Sequence, residues 1–227
     1  MYGVVDPSRG PKLFLTVGHA MILAVLGWLL LGEGVAELSA WTGLAMAKGD
    51  HLRRVVLFAC AAVYFARLIA TCFVFIKRKM SWWEALQIVA WLAFVEAALS
   101  LAGGAHTASL DILDAAGIGL YAAGSALNTG AEWFRLRWRA RPGNAKGLCV
   151  DGPFRYSMHP NYLGDVILFA GWAALTGRWA AMSIPVLMLA LFVTINIPAL
   201  DRHLASRHGG AFERWAERTR RLIPFLY

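Results

Sequence analysis

The stretch KLFLTVGHAMILAVLGWLLLG, residues 12 to 32, contains no acidic side chain and has its only Lys or Arg at the first position. A helix of about 20 apolar residues is long enough to cross a hydrocarbon layer about 30 Å thick. The run is longer than the apolar core of a signal peptide, and no Arg/Lys-rich leader with a closely following small-residue cleavage site accompanies it. We therefore expect a retained membrane-spanning helix.

Apolar runs of comparable length recur along the chain. They lie at residues 54–76, 83–103, 109–131, 162–178 and 180–200. Hydrophobic residues make up 59% of the 227 residues and charged residues only 16%, which is too apolar for a soluble domain of this size. Uninterrupted runs also lack the alternation of barrel strands, and helices satisfy their own backbone hydrogen bonds in lipid. We predict an all-α, polytopic membrane protein with about six transmembrane helices.

The tail, residues 201–227, is predicted to be a basic helix that ends in LIPFLY. Within AFERWAERTRRLIPF, three apolar residues can share one helical face and three arginines another: Phe212, Trp215 and Leu222 against Arg214, Arg218 and Arg221. This pattern is typical of an amphipathic helix that lies at a membrane interface. Such a helix serves either as an anchor alone or also as a cover over a bound ligand.

Basic residues are concentrated in alternate connections between the predicted spans. The chain has 22 Lys and Arg against 14 Asp and Glu, with basic clusters at 77–79, 135–155 and 202–221. The third and fifth connections are almost devoid of positive charge, and the basic residues at 48–54 give the only opposing signal. Because short basic loops stay in the cytoplasm, we expect both termini on the cytoplasmic side. The clusters suit topology and headgroup contact, or an anionic ligand on that face.

Several predicted spans carry polar side chains, which are costly in a bilayer unless they face a cavity, a partner or a ligand. Tyr64 and Arg67 lie about one turn apart, and Glu96 lies deep in the third span. Further polar residues occur on four helices: Glu84, Gln87, Asp111, Asp114, Tyr121, Asn128, Glu132, Asn161, Asp165, Asn196 and Asp201. Alone, each has an ordinary structural explanation, such as helix capping by Asp111 or Asp165. Together they predict a polar cavity among the helices.

Signatures of soluble enzymes and of metal sites are missing from the sequence. No HExxH, Walker, GxGxxG or GxSxG motif occurs. Cys60, Cys72 and Cys149 form no CxxC pair, and neither His19 nor His106 has a ligand partner at metal spacing. We therefore expect no structural disulfide, no bound metal, no nucleic-acid partner and no chemical role for these two histidines.

Two segments in the second half of the chain carry an ordered series of motifs. They are LNTGAEWFRLRWRARPGNAKGLCVDGPFRYSMHPNYLGD at 127–165 and NIPALDRHLASRHGGAFERWAERTRRLIPFLY at 196–227. The series runs from an Asn followed four residues later by an acid, through an Arg-rich stretch, to GxFxY, NYxGD and a final IPF. In order and spacing it resembles the membrane steroid 5-alpha-reductase superfamily, in particular its uncharacterised bacterial branch.

The resemblance implies a helical membrane enzyme that takes a hydride from NADPH at the cytoplasmic side and saturates an activated C=C bond of a lipid. It places cofactor-binding roles on eleven positions: Arg78, Asn128, Glu132, Arg139, Arg141, Tyr156, His159, Asn161, Asp165, Arg202 and His203. The choice between Arg139 and Arg141 as the phosphate contact stays open. YFARLIATCFVFIKRK is similar to the family's Tyr-Phe-x-Arg pattern and puts the proton-donating tyrosine at Tyr64. Glu33 is the candidate supporting carboxylate, with Glu37, Glu84 and Glu96 as alternatives.

These residue types suit the implied chemistry. When a hydride reaches a conjugated enone, negative charge develops on the carbonyl oxygen, and a nearby Tyr hydroxyl can meet it. Guanidinium groups match the phosphates of a dinucleotide, while Asn and acidic side chains can bind ribose and carboxamide. The substrate class stays open between a 3-oxo steroid, an isoprenoid enone and a fatty enone.

Two other functions compete with this interpretation. GPFRYSMHPNYLG is also similar to the GPYR…RHPxYxG stretch of S-adenosylmethionine-dependent membrane methyltransferases of the isoprenylcysteine carboxyl and phospholipid type. It differs at Met158, where that family has Arg, and at Leu200 and Asp201, where it has an acidic pair. A non-catalytic membrane scaffold that keeps the fold is the third alternative.

The chain is expected to form one integral membrane domain. Residues 1–105 would supply the substrate-side helices and residues 106–227 the cofactor-binding region. The branch it resembles favours a bacterial inner membrane. The expected partners are a lipid or steroid-like substrate and the surrounding membrane lipids.

Overall fold

The structure, a computed structural model, describes residues 6–227, and regular secondary structure in this range is helical apart from isolated bridge residues, among them the pair Ser157 and Arg220. The α-helices are α1 (Arg9–Leu30), α2 (Gly34–Thr42), α3 (His51–Ala70), α4 (Trp82–Gly104), α5 (Ile112–Arg139), α6 (Pro160–Ala174), α7 (Ser183–Leu191), α8 (Ile197–His208) and α9 (Gly210–Arg218). Wider π-helical turns at Thr71–Phe75 and Phe192–Asn196 continue α3 and join α7 to α8. The predicted all-α class is thereby confirmed.

Four helical stretches within residues 6–227 are long and apolar enough to cross a membrane: Arg9–Leu30, His51–Phe75, Trp82–Gly104 and Trp179–His208. The predicted number of about six is not confirmed. Helix α5 has 28 residues, but four of its last eight are charged: Glu132, Arg135, Arg137 and Arg139. Helix α6 has only 15 residues, fewer than a typical span needs. The predicted spans at 109–131 and 162–178 therefore correspond to helices that are not both long enough and apolar enough to be counted as spans.

The structure divides into two compact units, which we describe separately. The first comprises the described residues up to Gly119 together with Gly171–Met182, and the second comprises Leu120–Ala170 and Ser183–Tyr227. The predicted single domain with a division near residue 105 stays a prediction.

In the first unit, helices α1, α3 and α4 pack together around a buried apolar cluster. Leu15, Cys72, Met80, Ala85 and Leu92 form that cluster. The starts of α3 and α4 are capped by short polar side chains, because unpaired N–H groups at a helix N-terminus need acceptors. Asp50 accepts from the Arg53 N–H of α3 at 2.9 Å, and Ser81 accepts from the Glu84 N–H of α4 at 3.1 Å.

At the other end of the first unit, a buried ion pair joins α3 to α5. The Arg53 guanidinium donates to both Asp114 carboxylate oxygens, at 2.5 and 2.7 Å, and to the Leu175 carbonyl at 2.6 Å. Asp111 accepts from the backbone N–H groups of Leu113 and Asp114, so the capping role predicted for this residue is confirmed. The first turn of α5 is therefore fixed to the start of α3.

In the second unit, α5 and α6 approach each other backbone to backbone. A Cβ atom on Gly164 would lie 2.5 Å from the backbone nitrogen of Asn128 and 2.8 Å from the Gly124 carbonyl oxygen. Only glycine permits this approach, since real Cβ atoms do not come so close to backbone atoms. The contact brings Asn128 of α5 beside the first turn of α6.

The tail differs from the single basic helix predicted for residues 201–227. Gly209, with φ 50°, separates α8 from α9, and α9 ends at Arg218. Phe212 and Trp215 lie on one face of α9, as predicted, but they pack into a protein cluster with Trp138, Phe154 and Met158. Leu222 is fully buried but lies beyond the helix. Helix α9 is therefore amphipathic, and its apolar face packs against other residues of the protein.

Candidate active site

The first unit surrounds Tyr64 of α3 with aromatic and charged groups. The ring of His19 lies edge-on at 5.9 Å between centroids, and that of Trp172 lies edge-on at 6.2 Å. The Arg67 guanidinium carbon lies 5.5 Å from the Tyr64 ring centroid, within the range of a cation–π contact. Tyr64 itself is only partly buried. Its ring is held by neighbours while part of the side chain stays accessible.

A buried histidine–glutamate pair stands next to this tyrosine. A 2.7 Å hydrogen bond joins His19 Nε2 of α1 to Glu96 Oε1 of α4, and both side chains are fully buried. The sequence gives His19 no partner at metal spacing, whereas the structure pairs it with a carboxylate from another helix. The two residues lie 77 positions apart on different helices, so no local spacing in the sequence indicates that they pair.

The carboxylate predicted to support Tyr64 lies in different surroundings. Glu33 caps no N–H group at the start of α2, is exposed, and forms a 2.8 Å ion pair with Lys48. Hydrogen bonding and the positive charge of Lys48 lower the pKa of Glu33. Glu37 is also exposed, whereas Glu84 pairs with the guanidinium of Arg78. The roles of Glu33 and Arg78 stay predictions.

The second unit joins three of the predicted cofactor residues in one network. The Asn128 side-chain amide donates to the backbone carbonyl of Asn161 at 3.0 Å, and the Asn161 side-chain amide donates to Glu132 Oε1 at 3.1 Å. Glu132 also pairs with Arg135 one turn along α5. Asp165 follows Asn161 by one turn of α6 and is half-buried. Residues 128 and 132 of α5, like residues 161 and 165 of α6, are four positions apart and so lie on one face of their helix. Amide and carboxylate groups are thereby brought close together.

A second cluster fixes the start of α6. The His159 ring is 2% exposed and its Nε2 lies 2.9 Å from Asp201 Oδ1 of α8. Arg221 Nε lies 3.3 Å from the other Asp201 oxygen. The ring of Tyr162 stacks on His159 at 5.5 Å and on Phe192 at 4.6 Å. His159 is therefore a structural joint between α6, α8 and the tail.

The backbone of the tail runs beside the segment that precedes α6. Met158 N–H donates to the Arg220 carbonyl at 2.8 Å, and His159 N–H donates to the Arg221 carbonyl at 3.0 Å. The Ser157 hydroxyl donates to the Leu222 carbonyl at 2.7 Å. This short parallel contact secures a segment whose polar groups would otherwise lack acceptors.

The end of α5 concentrates positive charge. Partial burial, together with the nearby cations Arg135 and Arg207, lowers the pKa of Arg139. Like charges crowded in this way favour a bound anion, which offsets their repulsion. Arg141 is exposed just beyond the helix.

The remaining predicted cofactor residues lie nearer the surface. Tyr156 is 59% exposed, Arg202 is exposed and His203 is half-buried. Their roles stay predictions.

The fold and these polar groups define a helical membrane protein. One unit holds Tyr64 among aromatic and charged neighbours, and the other holds a cluster of amide, carboxylate and guanidinium groups. The chain belongs to the family described as "Protein of unknown function (DUF1295)", which matches residues 76–219, well over half of the chain. That family is part of the steroid 5-alpha-reductase-like superfamily, so the predicted resemblance is confirmed.

Two curated relatives are similar to this chain. "Steroid 5-alpha-reductase DET2" of Solanum lycopersicum is 32% identical over 117 residues, covering 49% of this chain and 42% of the relative. "Delta(14)-sterol reductase LBR" of Gallus gallus is 29% identical over 83 residues, covering 36% of this chain and 12% of the relative. The aligned part therefore spans less than half the length of each relative.

Proposed function

We propose that this protein is an NADPH-dependent membrane reductase that saturates an activated C=C bond of a lipid, such as a 3-oxo steroid or an isoprenoid enone. The observation that carries the proposal is the Asn128–Asn161–Glu132 network, in which three separately predicted cofactor residues are linked by hydrogen bonds. The names of both relatives, a steroid and a sterol reductase, support the same reaction class.

The residues of the second unit fit a phosphorylated dinucleotide. Asn128, Asn161 and Glu132 offer the donors and acceptors that a ribose or a carboxamide requires. Arg139, crowded by two other cations, offers a guanidinium for phosphate oxygens. When bound, NADPH supplies a hydride to the β-carbon of the substrate. The protein holds and orients the groups around that transfer.

In the first unit, Tyr64 is the proposed proton donor to the oxygen of the conjugated system. The Arg67 cation beside its ring stabilises negative charge that develops as the proton leaves. Electron pairs then move from the C=C bond toward the oxygen, and that oxygen receives the Tyr64 proton. The resulting enol becomes the saturated ketone when its α-carbon takes a proton from solvent and its oxygen returns one to Tyr64. We place the termini and the arginine-rich end of α5 on the cytoplasmic side of a bacterial inner membrane, where NADPH is available.

The test is thermal unfolding of the purified protein in detergent with different nucleotides. A ligand that binds only the folded state at about 100 times its Kd stabilises it by about 2.7 kcal/mol. We expect NADPH to raise Tm, NADH to raise it less, and S-adenosylmethionine to leave it unchanged. Asn128→Leu and Arg139→Gln should each reduce the NADPH effect.

Asn196→Ala is the matched control, because Asn196 is exposed and lies in the turn before α8. It should keep the full response to NADPH. Stabilisation by S-adenosylmethionine alone would refute the reductase and favour a methyltransferase. Stabilisation by none of the nucleotides would favour a scaffold without catalytic activity.

A further inference from the structure

The position of the Tyr64 ring is determined by its neighbours. His19 and Trp172 contact it edge-on, at 5.9 and 6.2 Å, and Arg67 lies over it at 5.5 Å. Edge-to-face contacts and cation–π contacts are orientation-dependent, so they restrict the ring to one rotamer. A proton donor needs such restriction, because misplacement by 1 Å is costly in rate.

The neighbour His19 is itself held on two sides. Glu96 Oε1 lies 2.7 Å from its Nε2, and Phe65 contacts its ring edge-on at 5.2 Å and 87°. Neither His19 nor Glu96 has any exposed surface. The pair therefore connects α1 and α4 to the stretch of α3 that carries Tyr64.

The pair is kept at a cost to folding. Among the described residues, His19 Nδ1, Glu96 Oε2 and the hydroxyl of Ser100, one turn after Glu96, are buried without a hydrogen-bond partner. Buried polar atoms of this kind are unfavourable, and polar residues within membrane spans are typically retained for function. An apolar pair would pack the same helices without this cost.

We propose that the His19–Glu96 pair positions Tyr64 for proton donation, with His19 as the contacting residue and Glu96 as its anchor. The inference rests on the proposed function and assigns the supporting carboxylate to Glu96, acting through His19. Glu33 is the weaker candidate, because it is exposed and already paired with Lys48. Both members of the pair act through Tyr64 and are positioning residues.

A direct test uses ¹⁹F NMR of protein labelled with 3-fluorotyrosine. The chain has six tyrosines, and the Tyr64 resonance is assigned by its loss in Tyr64→Phe. We expect one narrow Tyr64 resonance in the wild type, and broadening or a second resonance in His19→Gln and in the milder Glu96→Gln. His51→Gln, at the exposed start of α3, is the matched control and should leave the resonance unchanged. An unchanged Tyr64 resonance in both pair variants overturns the proposal.

A kinetic arm separates positioning from a general loss of structure. NADPH oxidation is followed with cholest-4-en-3-one as the probe substrate, in single variants and in the Tyr64→Phe background. We expect His19→Gln to lower kcat at least about tenfold with KM within about twofold, and to change the residual kcat of Tyr64→Phe by less than about twofold. Equal losses in both backgrounds overturn the proposal. No turnover by the wild type refutes the proposed function for this substrate, while the ¹⁹F spectra still decide the positioning role.

Discussion

Replacing Arg53 by Met should strongly destabilise the first unit. Arg53 and Asp114 are 2% and 4% exposed, and the guanidinium donates to both carboxylate oxygens and to the Leu175 carbonyl. Removing one partner of a buried ion pair leaves an uncompensated charge and costs about 3–5 kcal/mol. For a chain of this size we expect Tm to fall by roughly 6–20 °C in thermal unfolding in detergent.

Two further variants distinguish the loss of the pair from the loss of side-chain volume. In Arg53→Met with Asp114→Leu, neither charge remains, so this variant should recover at least about 1 kcal/mol relative to Arg53→Met alone. Arg178→Met removes an exposed arginine of the same unit and should stay within about 0.5 kcal/mol of the wild type. The reasoning is refuted if Arg53→Met costs less than about 1 kcal/mol, or if the double variant is no more stable than the single one.

Three other predictions concern the second unit. Gly164→Ala places a Cβ 2.5 Å from the backbone nitrogen of Asn128, so it should lower both Tm and the stabilisation by NADPH. Gly130→Ala, with open space around its Cβ, should keep or raise Tm in the same assay. Burial raises the pKa of Cys149, so its thiolate fraction is small near neutral pH. Its alkylation by iodoacetamide should be slow at pH 7 relative to a free thiol and should accelerate toward higher pH; fast labelling at pH 7 would contradict this burial. A reporter active only in the cytoplasm, fused after Tyr227, should be active, and activity only of a periplasmic reporter would reverse the topology.

Helical class was predictable because apolar runs of span length leave the backbone few alternatives, as in residues 12–32. The number of spans was less predictable. Helix α5 mixes an apolar first part with the charged residues near Arg139, and α6 stops after 15 residues. In both cases the bounds of the helix, which a hydropathy pattern does not encode, differ from the bounds of the apolar run.

The candidate site was predictable where its residues share one periodicity. Asn128 and Glu132 lie one turn apart on α5, so their proximity follows from helical spacing. Asn161 lies 33 and 29 positions from them, and only the family resemblance groups it with them. The His19–Glu96 bond joins residues 77 positions apart on two helices. No local pattern relates them, and a solitary histidine in an apolar run gives no sign of its partner. The break at Gly209 was missed for a related reason, because the amphipathic pattern continues past a residue whose φ of 50° ends the helix.

The backbone contact between Ser157–His159 and the tail also affects biosynthesis. Its partners are separated by about 64 positions, as in the bond from Ser157 to Arg221 and Leu222. At a translation rate of about 5–20 residues per second, the segment before α6 waits roughly 3–13 s for its acceptors to be synthesised. During that interval the amides of Met158 and His159 lack the carbonyls that they later bind. A chain that stops before Arg220 would lack these carbonyls altogether, so the segment before α6 would keep two backbone amides without their native acceptors.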